Sequence, residues 1–224
     1  MSELDKSATV GELVTSHPAA MKIFQRHGID FCCGGMKPLG EACAEHGVDA
    51  QAVLDEIRKQ EIAAQAPTER WDEKPVTELI DHILDVYHAE LKEDLPRLEA
   101  MARKVLEVHG PKDPKMFSDL LATFLALKGD LDPHMMKEER ILFPMIRSGA
   151  GAMAAPPIGV MRSEHETVGA LLRRIRTLTH DFAVPAEACA TWRGLWQGLE
   201  GLEQSLHEHI HLENNILFPR VLAE

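Results

Sequence analysis

An eleven-residue phrase recurs in this chain in nearly the same form and limits what the chain can become. HMMKEERILFP occupies residues 134–144 and HIHLENNILFP occupies residues 209–219, a constant offset of 75. Each copy sets a histidine, a glutamate four residues on, and then Leu-Phe-Pro. A spacing of four puts both side chains on one helix face, one turn apart. The neighbouring apolar residues share that face. Leu127, Leu131, His134, Glu138, Ile141 and Met145 make one row, and Leu202, Leu206, His209, Glu213 and Ile216 make the other. The pattern predicts two helices whose His–Glu pairs look into a core. A buried, ionised carboxylate is costly without compensation, so two of them beside histidines ask for a shared cation.

Two more segments supply matching histidines. Leu84, His88, Leu91 and Leu95 form one row, and Met161, His165, Val168, Leu172 and Ile175 form another. Four long helical patterns therefore emerge, from Pro75 to about Val108, Pro114 to Ile146, Pro157 to His180, and Pro185 to the C-terminus. Proline tolerates the start of a helix, where its missing N–H costs nothing. With short connections between them, an all-α, up-down-up-down four-helix bundle is expected. Aromatic residues are only 5% of the chain, which also favours helices over sheets.

A lone buried histidine is more often a satisfied core residue than a ligand. Here the conjunction decides: a repeated pair, apolar rows around both copies, and one histidine on each remaining helix. Four imidazoles and two carboxylates (His88, His134, Glu138, His165, His209 and Glu213) exceed what one tetrahedral zinc takes. They suit two ions bridged by the carboxylates, with iron first and manganese second from the mixed imidazole–carboxylate set. His207 and His211 are placed on a polar face with Glu200, Glu203, Asn214 and Asn215, outside the site. Each Leu-Phe-Pro should plug the bundle end, with proline bending or stopping the helix.

Residues 1–62 read as a separate small helical domain, residues 63–74 as a linker rich in small and charged residues, and residues 75–224 as the bundle. The small domain carries IFQRHGIDFCCGG, residues 23–35. Gly34 and Gly35 allow a sharp turn that presents Cys32 and Cys33 together, as a reactive or metal-contacting thiol pair. Cys43 and Cys189 are expected as buried filler. With 24 basic against 36 acidic residues the net charge is −12, which argues against nucleic acid or an anionic membrane as partner. The N-terminus resembles no secretory signal and no apolar run is long enough to span a bilayer, so a cytoplasmic location with reduced thiols is expected.

HMMKEERILFP and HIHLENNILFP, with His88 and His165 on the alternate helices, resemble the hemerythrin-type di-iron bundle. Joined to an FCCGG-bearing N-terminal domain, they resemble the family of di-iron proteins that repair iron–sulfur clusters, the YtfE/ScdA type, over nearly the whole chain. Oxygen-carrying hemerythrins use five histidines; this chain offers four inward ones, leaving a coordination position open. The resemblance implies two irons on His88, His134, Glu138, His165, His209 and Glu213, bridged by Glu138, Glu213 and an oxo or hydroxo group. It implies a homodimer that donates iron to proteins whose clusters are damaged by nitrosative or oxidative stress, with Cys32 and Cys33 handling iron or the oxidant. Glu164, and Asp130 standing where the resemblance calls for a longer Glu, would line an access path. Nitric oxide reduction at the two irons, or sensing of oxygen or nitric oxide, are the rival roles.

Overall fold

A computed structural model describes residues 4–63 and 69–223; residues 64–68 of the expected linker lie outside the described set. The described residues are helical, with one isolated bridge between Thr9 and Pro38. Two compact units result, Met1–Ile80 with His207–Glu224 and Asp81–Leu206.

The first unit opens with four short helices, α1 (Val10–Ser16), α2 (Ala20–Arg26), α3 (Leu39–Glu45) and α4 (Ala50–Ala63). Thr9 starts α1 through a reciprocal cap: its hydroxyl accepts from the Glu12 amide at 3.3 Å, and the Glu12 carboxylate accepts from the Thr9 amide at 3.0 Å. Val10, Leu13, Ile23, Phe24, Leu39, Val53 and Ile57 fill the space between these helices and are wholly buried. The C-terminal residues of the chain belong to this same unit, with α1 against the stretch Leu212–Leu217. At about 55 residues the N-terminal segment has little core of its own, and this contact enlarges it.

The second unit holds most of the length of four long helices, the first and last of which also contribute residues to the first unit. Helix α5 combines Val76–His82, a π-helical stretch Ile83–His88, and Ala89–His109. Helix α6 combines Pro114–Lys137, a π-helical stretch Glu138–Leu142, and Phe143–Arg147. Helix α7 is Ala155–Leu178, and α8 combines Ala190–His211, a π-helical stretch Leu212–Leu217, and Phe218–Leu222. Within the unit α6 packs on both α5 and α7. Glycines let α8 approach α5 closely: a Cβ on Gly198 would lie 2.5 Å from Leu98 Cδ2. Phe117 meets Trp192 and Trp196 of α8, and Arg176 of α7 binds Glu203 of α8. No described helix is long and apolar enough to cross a membrane.

The fourth bundle helix begins at Ala190, later than the expected Pro185. His180, Asp181 and Phe182 all adopt positive φ and turn the chain first. The prolines do not stop their helices either. Pro144 and Pro219 each sit in the first turn of a short final helix, where no donor is required. Leu142, Phe143, Leu217 and Phe218 are buried, as a plug requires. Cys43 is buried as expected, but Cys189 is exposed, because it precedes α8 rather than sitting within it.

Candidate metal centre

Three of the four bundle helices change pitch where the predicted ligands lie. The π-helical stretches end on His88, begin on Glu138, and contain Glu213. A π turn admits one extra residue, which rotates everything beyond it and is characteristic of functional sites. The apolar rows shift accordingly. Ile141 was expected in the core and is 53% exposed, with Leu142 buried in its place; Ile83 rather than Leu84 is fully buried. Helix α7 has no such turn, and Met161, His165, Val168, Leu172 and Ile175 are all buried.

Within the second unit, His88, His134, Glu138 and His165 converge, each at most 2% exposed. Glu138 Oε2 lies 3.3 Å from His88 Nε2, and Glu138 Oε1 lies 3.4 Å from His134 Nε2. His134 Nε2 and His165 Nε2 are 3.2 Å apart. Within the first unit, His209 Nε2 lies 3.2 Å from Glu213 Oε1, both side chains again buried. Donor atoms about 2.1 Å from a shared ion stand roughly 3.0–3.4 Å apart at octahedral to tetrahedral angles. The observed separations fall in that range.

Protonation sharpens the case. His88 Nδ1 is 2.9 Å from Glu139 Oε1, and His134 Nδ1 is 2.9 Å from Glu164 Oε2. An ionised carboxylate only accepts, so both Nδ1 atoms carry hydrogen, and in the neutral ring each Nε2 presents a lone pair. Those lone pairs face the Glu138 carboxylate, neither oxygen of which accepts a hydrogen bond. Anionic oxygens and imidazole lone pairs gathered in a dry core repel one another unless cations lie between them. The residues therefore fit a metal centre, and the donor chemistry suits a first-row transition ion.

Glu139 was not anticipated from the sequence, and Glu164 was assigned a different place. Both hydrogen-bond a predicted ligand imidazole at Nδ1, the place an outer partner of a metal-bound histidine takes. Each is shared with a lysine: Lys92 Nζ lies 2.7 Å from Glu139, and Lys137 pairs with Glu164. Burial raises the pKa of both carboxyls, but the lysine and histidine contacts outweigh it and hold them below the usual range. The one signal in the sequence was adjacency: Glu139 follows Glu138 and Glu164 precedes His165. Asp130 is exposed. Replacing Glu139 or Glu164 with alanine is expected to lower metal affinity about 10–100-fold, with Lys92→Met and Lys137→Met shifting it the opposite way; competition against a chromogenic chelator reads both.

His211 corrects the expected polar face. It is buried with its ring centroid 5.7 Å from that of Phe31, and burial lowers its pKa to about 4 despite a hydrogen bond to the Phe31 backbone. At neutral pH it is an uncharged ring. Glu203 is also buried, against Arg176. Asn214 and Asn215 are half-buried and donate to the loop carrying the cysteines: Asn215 Nδ2 to the carbonyls of Phe31 (3.1 Å) and Cys32 (3.2 Å), Asn214 Nδ2 to that of Cys32 (3.3 Å). Cys32 and Cys33 are not joined in a disulfide, and their sulfurs lie 3.9 Å apart.

Residues 79–221 match the profile of the hemerythrin HHE cation-binding domain, and residues 6–61 match ScdA_N, a domain of unknown function (DUF542). The iron-sulfur cluster repair protein YtfE of Escherichia coli O157:H7 is 43% identical over 215 residues, 96% of each chain. The proteins of the same name from Escherichia coli O81 and Escherichia fergusonii are 44% and 43% identical over the same share. The buried histidine–glutamate cluster thus lies within a cation-binding domain, and at this identity and coverage the chain belongs to the YtfE family of hemerythrin-like proteins with a ScdA_N domain.

Proposed function

We propose that this protein repairs iron–sulfur clusters damaged by nitrosative or oxidative stress, by donating iron from a di-iron centre. The reading rests on the relatives named for that repair and on one observation here: a fully buried Glu138 carboxylate set against imidazole lone pairs. We assign two ions to His88, His134, Glu138, His165, His209 and Glu213, with both carboxylates shared between them. When bound, the ions supply exchangeable iron with open coordination positions.

The chain's own residues set how tightly the cargo is held. Glu139 and Glu164 fix the tautomers that aim Nε2 inward, while Lys92 and Lys137 draw charge from those carboxylates and so weaken the imidazoles as donors. Carboxylate ligation exchanges more readily than a thiolate cage. Cys32 and Cys33 would meet the iron in transit. The clients are proteins with damaged clusters, the protein acts as a cytoplasmic homodimer, and nitric oxide or oxygen are the ligands the open positions would take.

Anaerobic incubation of a nitric-oxide-damaged cluster enzyme with the iron-loaded protein tests this. Recovery should exceed that given by an equal amount of free ferrous iron, and the His134→Ala protein should give none of the excess. Recovery no better than free iron overturns donation; nitrous oxide formed over many turnovers without iron loss would replace it with nitric oxide reduction.

A further inference from the structure

We propose that Asp30, Cys32 and Cys33 form a second cation site with its own ligands, suited to a thiophilic divalent ion such as Fe(II), Co(II), Zn(II) or Cd(II). The three side chains bring one ligand atom each within 4.8 Å of one another. Two thiolates about 2.3 Å from a tetrahedral ion stand about 3.8 Å apart, and a thiolate and a carboxylate oxygen about 3.6 Å apart. Cys32 Sγ is 3.9 Å from Cys33 Sγ and 3.3 Å from Asp30 Oδ1. The triangle needs shifts of a few tenths of an ångström to close on an ion.

Adjacent cysteines rarely chelate together, because successive side chains diverge. Here the backbone is curled around Asp30, whose Oδ1 accepts the amides of Cys32 (3.1 Å), Cys33 (3.0 Å) and Gly34 (3.1 Å). Gly34 permits the curl, since a Cβ there would meet the Asp30 carbonyl oxygen at 2.8 Å. From the other side Asn214 and Asn215 hold the carbonyls of Phe31 and Cys32. The two sulfurs are thus fixed on one side of the loop before any ion arrives, which reduces the ordering cost of binding.

Burial pushes the Asp30 carboxyl up, but the amides of Gly34 and Cys33, the Cys32 side chain and the charge of His207 bring it below its usual range. The Cys32 thiol is held well above its ordinary value by its contact with Cys33, by burial, and by the Asp30 charge. Three protein ligands leave a fourth tetrahedral position for a ligand from another molecule, the arrangement of a transfer site.

The site holds or fails whether or not the bundle donates iron, and its spectroscopy separates the two. The bundle ligands are imidazoles and carboxylates, so thiolate-to-metal charge-transfer absorption reports the loop alone. Titrating the full chain anaerobically with Co(II) should produce that absorption with a stoichiometry of one per chain. It should vanish in Cys32→Ser and in Cys33→Ser, weaken at least about tenfold in affinity in Asp30→Asn, and persist in His134→Ala. Cys43 and Cys189 remain in every variant and control for stray thiols. Should Asp30→Asn lose its helical circular dichroism, Asp30→Glu, which keeps the oxygen acceptor, carries the same test with a displaced absorption maximum. No charge-transfer band, a band surviving either serine substitution, or unchanged affinity in the folded Asp30 variants overturns the site.

Discussion

Glu138→Leu should make the metal-free protein more stable and leave it unable to load. The carboxylate is fully buried between two imidazole nitrogens at 3.3 and 3.4 Å, and neither of its oxygens accepts a hydrogen bond. Leucine is close in volume and removes the desolvated charge. Exchanging a poorly compensated buried charge for a packed hydrophobe stabilises by roughly 1–4 kcal/mol. Urea unfolding of the apo proteins reads that gain, and iron analysis reads a fall from about two ions per chain. Had Glu138 been a structural anchor, its loss would instead destabilise by about 3–5 kcal/mol. The sign alone therefore separates a ligand from a brace, and it is opposite in apo and loaded protein.

The same chemistry explains which parts of the fold were legible beforehand. Helix α7 keeps an uninterrupted α-helical pitch, and every residue of its predicted row, from Met161 to Ile175, is buried. On α5 and α6 the spacing rule put His88, His134 and Glu138 in the core, where they are buried, but misplaced Leu84 and Ile141, because a π turn inserts one residue and a period of 3.6 cannot register it. The ligand row is short enough to survive that shift; the apolar row beyond it is not. His211 was misread for a different reason. Its companions Glu200, Glu203, Asn214 and Asn215 read as a solvated face, but Asn214, Asn215 and His211 itself meet the loop carrying Phe31 and Cys32, far away in sequence. Glu139 was invisible to periodicity, since a carboxylate that orients an imidazole on another helix leaves no spacing signal of its own.

Gly35→Ala should loosen the cysteine loop through a single side chain, Asn215. A Cβ on Gly35 would stand 2.1 Å from Asn215 Oδ1 and 2.8 Å from its Cγ, and one on Gly11 would stand 2.7 Å from the same oxygen. The carboxamide therefore occupies a slot that only two glycines leave open. From that slot its Nδ2 donates to the Phe31 and Cys32 carbonyls and lies 3.1 Å from His211 Nδ1, an acceptor in the neutral ring. The alanine methyl must expel the carboxamide or displace the loop, at about 1–3 kcal/mol for an overpacked site. Asn215→Ala removes the donor instead and leaves carbonyls unpaired, at about 1–3 kcal/mol. Because the first change acts by evicting what the second deletes, the double variant should cost clearly less than the sum, with a coupling of roughly 0.5–3 kcal/mol. Alkylation of Cys32 and Cys33 should accelerate in all three variants alike. Additive free energies, or alkylation unchanged in Asn215→Ala, would show that the loop is held by its own turn around Asp30 and not by the last helix.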